Sequence, residues 1–335
     1  MRFDDALLES ESLADDQGLR RLASTGARIR AVAPDSGVGE IGRTERPRGF
    51  LVIGKEARLV RAVLEPVCPV PLMAWPGPGV PAWVGPLDLV AIIGDAQPVS
   101  WLVEAGAEAR RRGATLIVGA PARSELTAVT QSSDAIHIDT ECSDATAAAV
   151  AMLSVLGGLG LGPRVNVDHV ADAADLVAEA CSPHRDLAVN PGKDLALALA
   201  DRLPLIWGGS VLANRASRRF GEAIRRVDGI PALAADAPEL LAVLRGVKPK
   251  DVFADPEDSL DDPVVVLLDA DLADDKRLVD EVIDTADAVG VRVAHISSGD
   301  PQIATSDIER YITLLTHSLY GAEYLRIGLG KQVQR

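Results

Sequence analysis

Short apolar runs alternate along this chain with longer stretches whose apolar positions recur at helical spacing, the pattern of strands laid parallel and joined through helices. In the first part the predicted strands are GFLVIG (49–54), VPLMAW (70–75), Leu89–Ile93, Thr115–Val118 and AIHID (135–139). Between them EARLVRAVLEPV, the stretch from Val99 to Gly113 and a segment near Ser124–Thr130 read as helices, followed by an Ala-rich helix from about Asp144 to Leu156. PGPGVPAWVGP (76–86) holds neither helix nor central strand, because Pro removes a donor and Gly loosens the backbone. An amphipathic stretch around Leu13–Ala27 precedes all of these.

GGLGLGP (157–163) is the first break of the pattern. It suggests one domain over 1–160 and a second over 161–335. The helical connector NVDHVADAADLVAEACS (166–182) leads into a second round of alternation. Strand Leu203–Trp207, helix Val211–Arg226, strand IPALA (230–234) and helix Pro238–Arg245 are followed by strands at 263–269 and 291–297 flanking a helix at 272–288. A long amphipathic helix, roughly Ile303–Ile327, comes last. The fold class that follows is α/β, two three-layer αβα sandwiches with mainly parallel sheets.

Composition narrows the chemistry. Aromatic residues make up only 3% of the 335 positions, so the cores are aliphatic. The formal charge of −15, with acidic clusters at FADPEDSLDD (253–262) and DADLADD (269–275), argues against nucleic acid or an anionic membrane as partner. Cys68, Cys142 and Cys181 lie far apart and lack metal-ligand spacing. They suggest no disulfide framework or zinc site, and the residues call for no metal or cofactor. The start MRFDDALLESESLADD has no apolar signal core, so a soluble, cytoplasmic protein is expected.

Three segments resemble the sugar isomerase (SIS) family, specifically the bifunctional glucose-6-phosphate/mannose-6-phosphate isomerases of the phosphoglucose isomerase superfamily. NPGKDLALALADRLPLIWGG (190–209) is similar to that family's N-x-A-K-x-L-A segment and P-x-I-Y-G strand. ANRASRRFGEAIRR with IPALAADAPEL resembles its A-x-R-W-K-x-x-x-N-E-N helix, P-A strand and P-E-L turn. LLTHSLYGAEYLRIGLG (314–330) resembles its closing helix. The resemblance implies two SIS-type domains, a homodimer, and aldose–ketose isomerisation of a sugar phosphate through a cis-enediolate. That chemistry needs a phosphate anchor, a carboxylate base, a cation for the developing oxyanion and an acid/base for ring opening.

Laid on this chain, the family's S-x-S-G-N-T-x-x-T anchor covers Ala91–Val99. Gly94 and Asp95 take its G-N positions, Gln97 lies within the loop, and Ala91, Ile93, Ala96 and Val99 replace its hydroxyls, with Ser100 one residue beyond. Asp95 brings negative charge toward a phosphate, which is unfavourable unless neutralised. The family arginine of P-R-A-A corresponds to CSDATAAAV, at Asp144 or a neighbour, and its ring-opening histidine to Ala242. Its late lysine has no clear counterpart, the chain ending soon after Lys331. Glu222 of FGEA is the candidate base; a helical glutamate is otherwise a solvated side chain.

Gly54 and Lys55 stand at the family's G-M-G-G-S turn, where Lys55 is either a replacement cation or merely solvated. Gly208, Gly209 and Ser210 of WGGS offer amides and a hydroxyl before a helix, suited either to an anion or to a tight strand-to-helix turn. ISSGD (296–300), after His295, is comparable. Two functions follow: a phosphosugar isomerase using Glu222, or a non-catalytic relative that binds a sugar phosphate or other carbohydrate derivative, or pairs with a protein as a regulator.

Overall fold

The computed structural model describes residues 3–32, 46–95, 98–133, 135–140, 144–247, 262–300, 302–303 and 305–331. Gln97, Ala96, Cys142 and all of FADPEDSLDD except Asp262 lie outside the described residues.

Single 3₁₀ turns at Asp5–Glu9 and Glu11–Asp15 lead into α1 (Gln17–Ala23) and α2 (Thr25–Ala31). The amphipathic stretch is therefore not one helix. Asp16 starts α1 by accepting from the amides of Gly18 and Leu19 at 2.9 and 3.0 Å, the ordinary N-cap use of a short carboxylate. The chain continues through β1 (Phe50–Gly54), α3 (Ala57–Leu64), β2 (Leu72–Trp75), β3 (Leu89–Ile93), α4 (Ser100–Arg111), β4 (Thr115–Ala120), α5 (Glu125–Thr130), β5 (Ile136–Asp139), α6 (Ala145–Gly158) and α7 (Val167–Ala180). Then follow α8 (Pro191–Leu199), β6 (Leu203–Gly208), α9 (Val211–Asp228), β7 (Leu233–Ala234), α10 (Ala237–Arg245), β8 (Pro263–Leu268), α11 (Lys276–Ala288), β9 (Arg292–Ile296) and α12 (Asp307–Gly328).

These strands form a five-stranded sheet in the order β2-β1-β3-β4-β5 and a four-stranded sheet in the order β7-β6-β8-β9, every pair parallel. β3, β4 and β8 are buried along their whole length, as strands with both faces covered must be, and their continuous Val/Ile/Leu runs are the reason. β7 is shorter than expected from IPALA. Pro231 has no N–H to give a ladder, and pairing with β6 begins only at Leu233.

The chain groups into two compact units, Thr25–Asp172 and Met1–Ser24 with Ala173–Arg335. The first residues thus belong with the second sheet, and GGLGLGP closes α6 inside the other unit. One tie is the buried Arg326, which meets Glu323 at 2.8 Å and the carboxylate of Asp16. Another is the Asp4 amide, which donates to the Gly328 carbonyl at 2.8 Å. α12 packs against α8, α9 and α1, and Tyr311, Ile312, Leu315, Tyr320 and Leu325 are all buried within its own unit. These apolar residues of α12 are covered intramolecularly.

Candidate functional site

In an open parallel sheet, ligands sit outside the strands' carboxyl ends where the strand order reverses. In the first sheet that point lies between β1 and β3. The two loops that meet there begin at IGKEA and IIGD, so Gly54, Lys55, Gly94 and Asp95 come together although 40 residues separate Lys55 from Asp95. Gly54 has φ 97°, and a Cβ on it would fall 2.1 Å from the Ile93 carbonyl oxygen. Only glycine fits. The Lys55 amide donates to that same carbonyl at 3.0 Å, and the Gly94 amide donates to the Gly119 carbonyl at 2.9 Å, so both loops are fixed by backbone. Lys55 Nζ pairs with the Asp95 carboxylate. Glu56 follows in the left-handed region, φ 56°, and is buried as α3 starts.

The expected anchor positions are apolar here in three dimensions as well as in sequence. Ala91 and Ile93 are buried in β3, and Val99 is exposed at the start of α4 with no side-chain cap. Ser100 is the first residue of that helix and is exposed.

Asp144, which with its neighbours stands where the resembled family carries its arginine, has a structural job. Its Oδ1 accepts from the amides of Thr146 and Ala147 at 2.9 and 3.1 Å, capping α6. Its Oδ2 accepts from Arg28 Nε at 2.8 Å, with both side chains largely buried. The positive charge at this helix end is supplied by α2. Sequence inspection missed Arg28 because it lies far up the chain in a surface-like stretch.

The second sheet reverses between β6 and β8, at WGGS and the end of VVVLLD. Gly208 lies against the backbone of Ala213 and Asn214, and a Cβ on Gly209 would sit 2.6 Å from Ala273 Cβ. The Gly209 amide donates to the Leu268 carbonyl at 3.1 Å, and Ser210 Oγ accepts from Ala213 N at 3.2 Å as the cap of α9. Both glycines thus serve the packing of the turn, and the hydroxyl caps α9. Beside it Asp269 stands at φ 50° and is buried, accepting from Ser298 N at 2.7 Å and Ser298 Oγ at 2.8 Å. Arg310 Nη1 donates to the same hydroxyl at 3.2 Å. Burial raises the Asp269 carboxyl's pKa, opposed by Ser298 and Arg310. ISSGD is therefore a loop latched to β8; the acidic cluster had hidden its one buried member.

Glu222 lies on the flank of α9, with Arg219 Nη1 at 3.0 Å and Arg226 Nη2 at 3.9 Å. It is twelve residues after Ser210, or about 18 Å along the helix at 1.5 Å per residue, so the two are not brought together. His295 is exposed on β9, and Ala242 is exposed on α10. His317 of α12 is half-buried, and burial lowers its pKa despite the Pro191 carbonyl and Asp194. Among the described residues no group of three His, Cys, Asp or Glu is arranged to hold a metal ion, and no helix is long and apolar enough to cross a membrane.

Residues 188–324 match the family model of the bacterial phospho-glucose isomerase C-terminal SIS domain. A search of curated proteins finds no match. Among solved structures, the tagatose-6-phosphate ketose/aldose isomerase of Escherichia coli is similar with a TM-score of 0.63 at 13% identity, over 94% of this chain and 91% of that one. The C-terminal domain of glucosamine-fructose-6-phosphate aminotransferase from Francisella tularensis gives 0.67 at 11% identity, over 96% and 98%. A glucose-6-phosphate isomerase like protein from Thermus thermophilus gives 0.55 at 15% identity, over 99% and 95%. At these identities the likeness is one of fold.

Proposed function

We propose that this chain, a divergent SIS-domain protein of phosphoglucose isomerase-like type, binds a carbohydrate derivative at the carboxyl edge of its first sheet and does not run the isomerisation. The match of 188–324 and the shared fold support the ligand class. The observation that carries the loss of turnover is the fate of the two charged groups the reaction needs. Asp144, at or beside the cation's position, caps α6 and is neutralised by Arg28. Glu222, at the base's position, is ion-paired to Arg219 on a helix flank. A proton shuttle needs a base held at its substrate; this carboxylate is instead taken up by a guanidinium on a helix flank.

The test is a coupled assay with fructose 6-phosphate on the wild type and Glu222→Gln, together with melting curves in neutral sugars, sugar phosphates and nucleotide sugars. The expected result is no turnover in either protein and a rise in melting temperature with at least one carbohydrate derivative. Turnover abolished by Glu222→Gln would establish the isomerase instead. Absence of any thermal shift would leave a protein-binding regulatory role. A homodimer is proposed on the family resemblance and a cytoplasmic setting on the scattered cysteines and the N-terminal sequence, and light scattering on the purified protein tests the former.

A further inference from the structure

We propose that Asp95, held by Lys55, is a specificity-determining residue: it keeps a phosphate group off the edge between β1 and β3 and turns that edge toward a ligand's hydroxyl groups. This rests on reading that edge as the carbohydrate site. The pair is fixed from below. The Lys55 amide is bonded to the Ile93 carbonyl, and the Gly94 amide is bonded to the Gly119 carbonyl. The Asp95 side chain is 22% exposed and that of Lys55 61%, so the carboxylate is the embedded partner and the ammonium lies over it.

A phosphate reaching this edge meets an ammonium already compensated by a carboxylate. To use it, the phosphate must displace Asp95 from Lys55 and remain beside the displaced charge, in surroundings less polar than water. Ala91, Ile93 and Val99 provide no hydroxyl to share the phosphate oxygens. Vicinal sugar hydroxyls face none of these costs. Each is both donor and acceptor, and the pair presents a carboxylate that only accepts beside an ammonium that only donates.

The experiment measures binding of inorganic phosphate, and separately of glucose and glucose 6-phosphate, by calorimetry and melting temperature to the wild type, Asp95→Asn and Asp95→Ser. A double variant, Asp95→Asn with Lys55→Met, completes the set, and far-UV circular dichroism checks that each folds. The expected result is no saturable phosphate binding in the wild type. Both Asp95 variants should gain it, at least about tenfold tighter than any wild-type response, and it should vanish in the double variant. Phosphate bound equally by the wild type and Asp95→Asn overturns the proposal, as does the absence of any gain in both Asp95 variants. The sugar arms separate the two readings. Phosphate gain without any wild-type response to glucose or glucose 6-phosphate keeps Asp95 as the excluding residue and removes the carbohydrate reading. Sugar binding without phosphate gain does the reverse.

Discussion

Arg28 and Asp144 lie 116 positions apart in sequence and meet with Nε 2.8 Å from Oδ2, while the other oxygen of Asp144 caps α6. Both side chains are less than a fifth exposed, so removing one partner leaves the other in a poorly solvated place. Arg28→Met should cost about 1–3 kcal/mol in urea unfolding, since Asp144 keeps its amide partners. Asp144→Ala should cost more, because cap and pair are lost together. Asp144→Asn should fall between, keeping the cap.

Gly54→Ala should destabilise by about 2–4 kcal/mol. The new methyl meets the Ile93 carbonyl and the backbone is held at φ 97°, so no side-chain adjustment relieves it. The same substitution should alter ligand-induced melting shifts, because Lys55 rides on that turn; the check is the melting curve with and without ligand.

A pH dependence follows from Asp269. Its carboxyl pKa is raised from 3.8 by burial, the hydrogen bonds from Ser298 and the charge of Arg310 opposing. The folded state therefore holds the proton to higher pH than the unfolded chain does. Stability from this group is fully present below 3.8 and is lost as pH rises through the folded value. Wild type minus Asp269→Asn should slope downward across that window and flatten above it, as read from unfolding curves collected at stepped pH. A difference independent of pH would refute it.

Around α8 the polar cluster is structural. Lys193 is buried and donates to the carbonyls of Pro183 and Arg185 at 3.1 and 2.9 Å, and Tyr324 OH donates to the Cys181 carbonyl at 2.7 Å. Tyr324→Phe should cost about 1–2 kcal/mol by orphaning that carbonyl. Lys193→Met should cost at least as much, with two carbonyls left without donors. Ligand binding at Asp95 should be unchanged in both, which calorimetry would report.

The sequence by itself determined the layers. Continuous apolar strands such as LVAII and PVVVLL, spaced by helices of regular period, leave little besides parallel sheets covered on both faces, and the glycines at 54, 94 and 208–209 mark where strands turn. It also located the loop at Gly94 and Asp95 and the absence of anchoring hydroxyls, because those are statements about residue types at the end of a strand. Only the tertiary structure decided how the charges are spent. That Lys55 neutralises Asp95, that Arg28 reaches Asp144, and that Asp269 alone of its acidic cluster is buried against Ser298 all depend on long-range approach. So does the fate of α12, whose apolar stripe looks the same in sequence whether it meets a second subunit or, as here, its own α8 and α9. Periodicity records that a face must be covered; the partner that covers it is set by the path of the whole chain.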